Sequence, residues 1–158
     1  MNRQLIVFMV VVSVAVAAAK HGFGYKRTTL VADLVNAANE KWGQMLRGKN
    51  AEGFASLYTE DTQVLPTGSP PLIGRAAVEM FAESFFLSEV KDAKVETVLL
   101  DPTADSVAEG GTFWERGKYV FYNDAGDVID VGKYLGVWKK IANGNIKMYI
   151  DSFNSNNA

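Results

Sequence analysis

The chain has 158 residues, 48% of them apolar and 22% charged, which is too apolar and too weakly charged for a disordered polypeptide. Its net charge of −2 offers no basic face for a nucleic acid, and its lack of cysteine excludes disulfides, thiolate metal sites and cysteine nucleophiles. No cofactor is expected. Neither is N-glycosylation, because no Asn-x-Ser/Thr sequon occurs.

The first segment reads as a signal peptide over residues 1–19. Arg3 supplies the positive start, and Leu5 to Ala19 is uncharged and interrupted only by Ser13. At about 15 residues this run is shorter than the ~20 a membrane-spanning helix needs. Ala17, Ala18 and Ala19 provide small residues for cleavage. The expected product is a secreted, extracellular protein with no membrane attachment after cleavage; the alternative is an uncleaved anchor. Cleavage leaves 15 basic against 18 acidic residues. Residues 20–27 form an expected flexible tail holding His21, the only histidine, and the basic pair Lys26-Arg27. An amino terminus with His21 at its third position would suit a square-planar Cu(II) or Ni(II) site, but one imidazole is a thin ligand set and a solvated tail is the plainer reading.

The domain is expected over residues 28–154, with 155–158 as a tail. Val31, Leu34, Val35, Ala38, Trp42, Met45 and Leu46 form an apolar stripe at helical spacing. Thr28 or Thr29 is the expected cap and Gly48 the expected stop. Asn50 caps a short second helix with Phe54, Leu57 and Tyr58 on its buried face, closed by Thr59-Glu60-Asp61. A short strand, Thr62 to Leu65, precedes a loop rich in proline and glycine from Pro66 to Gly74. Gly74 leads into a third helix faced by Ala77, Val78, Phe81, Phe85 and Phe86.

Beyond Val90 the period becomes that of strands. Lys94 to Leu100 is one strand, and Ser106 to Asn123 reads as two, broken near Arg116-Gly117, with Gly110-Gly111 as a bend or bulge. Val128 to Ile141 alternates Asp130, Gly132, Tyr134, Gly136 and Trp138 against Ile129, Val131, Leu135, Val137 and Ile141. Asn143-Gly144 is a hairpin signal, and Ile146 to Phe153 is the return strand. Helices first and strands after give the α+β class, with three helices closing one side of a strongly curved, cone-shaped antiparallel sheet.

The stretch from Lys41-Trp42 to Phe86 resembles the nuclear transport factor 2-like, or SnoaL-like, superfamily. The resemblance rests on Leu57-Tyr58-Thr59-Glu60-Asp61, Val64-Leu65-Pro66-Thr67-Gly68 and Ile73-Gly74-Arg75-Ala76-Ala77-Val78. The segments Gly136-Val137-Trp138-Lys139-Lys140 and Asn145 to Asp151 add to it. The chain is most similar to stand-alone members near the calcium/calmodulin-dependent protein kinase association domain. The resemblance implies a cone with an internal pocket, and frequent dimers through the outer sheet face. It says little about activity, because one superfold hosts many functions.

Within that resemblance the ketosteroid isomerase machinery is absent. Val64-Leu65-Pro66 stands where its base would lie, and Trp42 where its tyrosine would lie. The expected pocket is apolar and aromatic, lined by Trp42, Phe54, Tyr58, Phe81, Trp114, Tyr134, Trp138 and Tyr149 with Asp151, and taking a small hydrophobic molecule. Asp151 is also the leading acid for the alternative, an isomerase, cyclase or dehydratase of the SnoaL-like type; Asp130 and Glu115 are lesser candidates. A strand apolar on both faces points to a covering subunit, hence a homodimer, and a purely structural dimerisation module is the third reading.

Overall fold

The computed structural model describes residues 30–157; the signal segment, His21, and Thr28 and Thr29 lie outside them. Helix α1 spans Val31–Arg47, α2 Ala51–Ala55 and α3 Arg75–Leu87. Strands run Tyr58–Leu65 (β1), Leu72–Ile73 (β2), Asp92–Leu100 (β3), Thr112–Tyr122 (β4), Val128–Lys140 (β5) and Ile146–Ser155 (β6). They form one six-stranded sheet in the order β2-β1-β6-β5-β4-β3. The sheet is curved and unclosed, with the helices on one side. The α+β class and the helix-covered curved sheet are as the sequence leads one to expect. The sheet is mixed, however, because β1 runs parallel to β6. A parallel neighbour needs a long crossover, and here nearly the whole domain intervenes.

α1 buries Val31, Val35 and Leu46 from the expected stripe. Leu30 occupies its cap position without a side-chain bond. The Val31 N–H instead donates to the Asp105 carboxylate at 2.8 Å, from a short 3₁₀ turn at Ala104–Ser106. An orphan amide at the helix start thus finds an acceptor 74 residues away. Gly48 remains right-handed, and Lys49 takes the left-handed conformation at φ 50°. Asn50 caps α2 through Oδ1 and the Gly53 N–H at 2.8 Å. That helix ends at Ala55, so Tyr58 to Asp61 belong to β1 rather than to its end.

β4 is one unbroken strand, not two. Gly117 is not a break; a Cβ there would fall 2.2 Å from the Tyr134 ring on β5. Gly132 on β5 in turn seats the Tyr119 ring of β4, where a Cβ would fall 2.1 Å from it. Each tyrosine lies across the other strand's glycine, and the glycines are there to admit them. The β5–β6 connection turns through Asn143 and Gly144, both at positive φ. β6 reaches Ser155, and the Asn156 N–H still donates to the Val131 carbonyl at 2.8 Å.

The core lies between the helices and the inner sheet face, where Phe54, Val78, Ala82, Phe86, Phe113, Tyr119, Trp138 and Met148 are buried. Inner positions of β4 are Phe113, Glu115, Gly117, Tyr119 and Phe121; those of β5 are Gly132, Tyr134, Gly136 and Trp138. The outer face exposes Val98, Leu99, Val131 and Leu135.

Candidate functional site

A cavity opens between the helices and the inner sheet face. Its floor is Tyr58, Val64, Met148 and Asp151, and its walls include Trp42, Phe54, Val78, Phe81, Phe85 and Phe121. Asn39, Val95, Tyr119, Tyr134 and Phe153 complete the lining. Asn39, Trp42, Phe81, Phe85, Val95 and Phe153 of this lining are partly exposed. It offers about 50 Å³ to the centres of water-sized molecules, room for a few waters or a compact organic molecule. The walls are packed aromatic rings. Trp42 stacks parallel to Phe121 at 6.2 Å and tilts against Phe54 at 5.1 Å. Phe81 and Phe85 stack at 5.6 Å.

Six of the nine pocket residues expected from sequence meet in this cavity: Trp42, Phe54, Tyr58, Phe81, Tyr134 and Asp151. Trp114, Trp138 and Tyr149 do not line it. Trp114 alternates with the inward Phe113 and Glu115 and so takes the outer face. Trp138 faces inward but is packed into the core, 3% exposed. Tyr149 is displaced by a bulge in β6, where Val137 pairs with Ile150 but Trp138 pairs with Met148. The extra residue breaks strict alternation. Met148 and Asp151 both turn inward, and Tyr149 turns out under the Lys139 ammonium, 5.3 Å from its ring.

Asp151 is buried on the cavity floor. One oxygen accepts the Tyr58 hydroxyl at 3.0 Å, and the Trp42 indole N–H donates to that hydroxyl at 3.3 Å. Burial pushes its pKa up to about 6; the Tyr58 bond pulls it back in part, and the charge of Glu115 adds to the rise. Tyr58 itself is held far above the ordinary phenol range, first by burial and then by Asp151. A chain of Trp42, Tyr58 and Asp151 therefore delivers one carboxyl, poised between its two forms near neutral pH, to an apolar space.

Asn39 is a site residue that sequence reading passed over. Its amide donates to Thr97 Oγ1 at 3.3 Å and to the Tyr134 hydroxyl at 3.4 Å. The signal was present: Asn39 is a polar residue between Val35 and Trp42, on an otherwise apolar face. Phe85, Tyr119, Phe121 and Phe153 were legible only as strand or helix core. Asp130 does not line the cavity; it accepts the Tyr119 hydroxyl at 3.0 Å and the Ser155 hydroxyl at 2.6 Å.

No family model matches the sequence, and no curated protein matches it. Solved structures do match. A ketosteroid isomerase-like protein from Erwinia carotovora atroseptica is 18% identical, with a TM-score of 0.64 over 79% of this chain and 95% of that one. An ntf2-like protein with a cystatin-like fold from Novosphingobium aromaticivorans is 15% identical, with a TM-score of 0.59 over 80% of this chain and 82% of that one. The fold is that of the nuclear transport factor 2-like proteins. A calcium/calmodulin-dependent protein kinase type II association domain-like protein from Thiobacillus denitrificans is 14% identical, with a TM-score of 0.61 over 76% of this chain and 93% of that one. These nuclear transport factor 2-like neighbours are stand-alone chains of similar extent. At such identities the likeness carries the fold, and chemistry must be argued from the cavity.

Proposed function

We propose that the domain binds a compact, largely apolar molecule in the cavity and performs acid–base chemistry on it through Asp151. The observation that carries this reading is a buried carboxyl, held by a single tyrosine hydroxyl, on the floor of an aromatic cavity. A general acid or base works best with a pKa near the working pH, and burial supplies that shift here. As a neutral acid Asp151 would donate its proton to a ligand oxygen. As a carboxylate it would take a proton from an adjacent carbon, and returning that proton elsewhere on the ligand completes an isomerisation without a co-reactant. The fold neighbours fit a ligand-binding or enzyme-like domain.

The second reading is a carrier that binds without turnover, favoured by the aromatic walls around a narrow space. Secretion remains a proposal resting on the signal-like segment of residues 1–19. A homodimer remains one resting on the exposed Val98, Leu99, Val131 and Leu135.

Native mass spectrometry of the chain purified from a secretory host, before and after organic extraction, tests the ligand. An extractable adduct that is lost in Asp151→Asn supports the reading. An adduct held equally by the variant leaves Asp151 no part in recognition and favours the carrier. A clean mass, together with no uptake of small cyclic ketones, contradicts a binding cavity.

A further inference from the structure

Glu115 is the least accessible acid among the described residues, at 0% exposure, and neither binding nor proton transfer by Asp151 as argued above uses it. It sits in one inner-face row that crosses five strands. Leu100 pairs with Glu115, Glu115 with Gly136, Gly136 with Asp151, and Asp151 with Val64. Glu115 and Asp151 thus flank Gly136 in this row, and the Met148 thioether lies over that glycine, within 3.1 Å of where its Cβ would fall. Two strand spacings put their Cα atoms roughly 10 Å apart, and both side chains rise from the same face.

We infer that Glu115 is a positioning residue for Asp151: across Gly136 the two carboxyls form one coupled pair, and Glu115 sets when Asp151 releases its proton. The inference rests on the proposed use of Asp151.

A few polar groups, none of them positively charged among the described residues, bond to the pair. One Glu115 oxygen accepts the Thr97 hydroxyl at 2.8 Å, and Thr97 is in turn held by Asn39. The other oxygen has no hydrogen-bond partner, and neither has the buried Trp138 indole N–H. Tyr134 on β5, Tyr58 on β1 and Asn39 on α1 are the remaining polar groups at the pair. Among the described residues, no lysine or arginine bonds either carboxyl. Arg75, at the start of α3, is engaged by Glu60 and by the Tyr58 carbonyl at 3.1 Å.

Two acids in a low-dielectric space without a counter-ion resist ionising together, so their protons leave in two coupled steps. Thr97 and the nearby N–H and O–H groups of Trp138, Tyr134 and Asn39 favour the ionised form of Glu115, against its burial. Among the described residues, Asp151 has the Tyr58 hydroxyl alone as donor. Glu115 therefore carries the first charge, and that charge keeps the proton on Asp151.

The test is a carbon-13 NMR titration of the side-chain carboxyls of the whole chain, with Asp151 assigned by its loss in D151N. Glu115→Gln keeps an acceptor for Thr97 and removes the charge. The expected result is an Asp151 midpoint lowered by about one unit, a roughly tenfold weaker hold on its proton. In D151N the Glu115 midpoint stays near its native value, because Asp151 is still protonated while Glu115 loses its proton. Glu115→Asp, which restores a charge at the same position, returns the Asp151 midpoint toward the native value, whereas a merely structural role leaves the midpoint blind to charge. Should E115Q fail to fold, Thr97→Val removes the one bonded donor of Glu115, delays its ionisation and lowers the Asp151 midpoint. An Asp151 midpoint unmoved in the folded variant overturns the inference. The ligand measurements are independent: coupled carboxyls in a chain that takes up no ligand would sink the proposed function and leave the pair standing.

Discussion

A carboxyl in an aromatic cavity is a burden on the fold unless something uses it. The folded state holds the proton of Asp151 up to about pH 6, while an unfolded aspartate releases it near 3.8. Between those values the native state binds more protons than the unfolded one, so stability falls as pH rises through the window and levels off above it. The full loss is on the order of 3 kcal/mol. Asp151→Asn keeps an acceptor for Tyr58 and removes the titration. Urea denaturation from pH 4 to 7 should show a flattened stability profile, with a residual slope from Glu115, whose pKa is also raised by burial. Tyr58→Phe acts in the opposite sense. It strips Asp151 of the Tyr58 hydroxyl, its one donor among the described residues, and should cost roughly 1–3 kcal/mol. That cost should be larger at pH 7 than at pH 4.5, because an unpartnered charge is costlier than an unpartnered acid. At this scale the sequence told part of the story. An acid inside an apolar, aromatic strand marked Asp151. Glu115 was only a lesser candidate, because the break read at Arg116-Gly117 hid its alternation with Gly117 and Tyr119, and its coupling to Asp151 depends on strand register, which no local pattern encodes.

Elements obeyed their local signals except where a distant partner intervened. The stripe of α1, the Asn50 cap and the Asn143-Gly144 turn were all readable from spacing and turn chemistry. The start of α1 was not, because its amide is satisfied by Asp105 from beyond β3. Asp105→Ala should therefore cost about 1 kcal/mol in urea denaturation, as the loss of a cap does. The continuity of β4 was misread because Gly117 resembles a breaker until Tyr134 is laid over it. Gly132→Ala tests the reciprocal pair, since a methyl group there falls 2.1 Å from the Tyr119 ring. We expect a loss of about 1–3 kcal/mol, most of it recovered when Tyr119→Ala is combined with it, since the clash goes with the ring. The bulge in β6 is the costliest omission. Strict alternation groups Tyr149 with Asp151, and the bulge separates them.

At the scale of the molecule, the α+β class, the curved sheet with helices on one side and the resemblance agreed with one another and with the observed fold. What they did not convey was the size of the cavity. It holds about 50 Å³ for water-sized centres, which favours a compact ligand over a large hydrophobic one. The outer face exposes Val98, Leu99, Val131 and Leu135, the surface proposed above for a second copy of the chain. We propose that the native chain sediments as a dimer through this face and Leu135→Lys as a monomer; an unchanged dimer would move the interface elsewhere. The central claim is that Asp151 exchanges protons with a molecule in the cavity. Its most direct test is deuterium incorporation into cyclohexanone in heavy water, followed by mass spectrometry across the acid range. The account predicts protein-accelerated exchange with a midpoint near pH 6 that disappears in Asp151→Asn. Exchange no faster than in buffer, or retained in full by the variant, would contradict it.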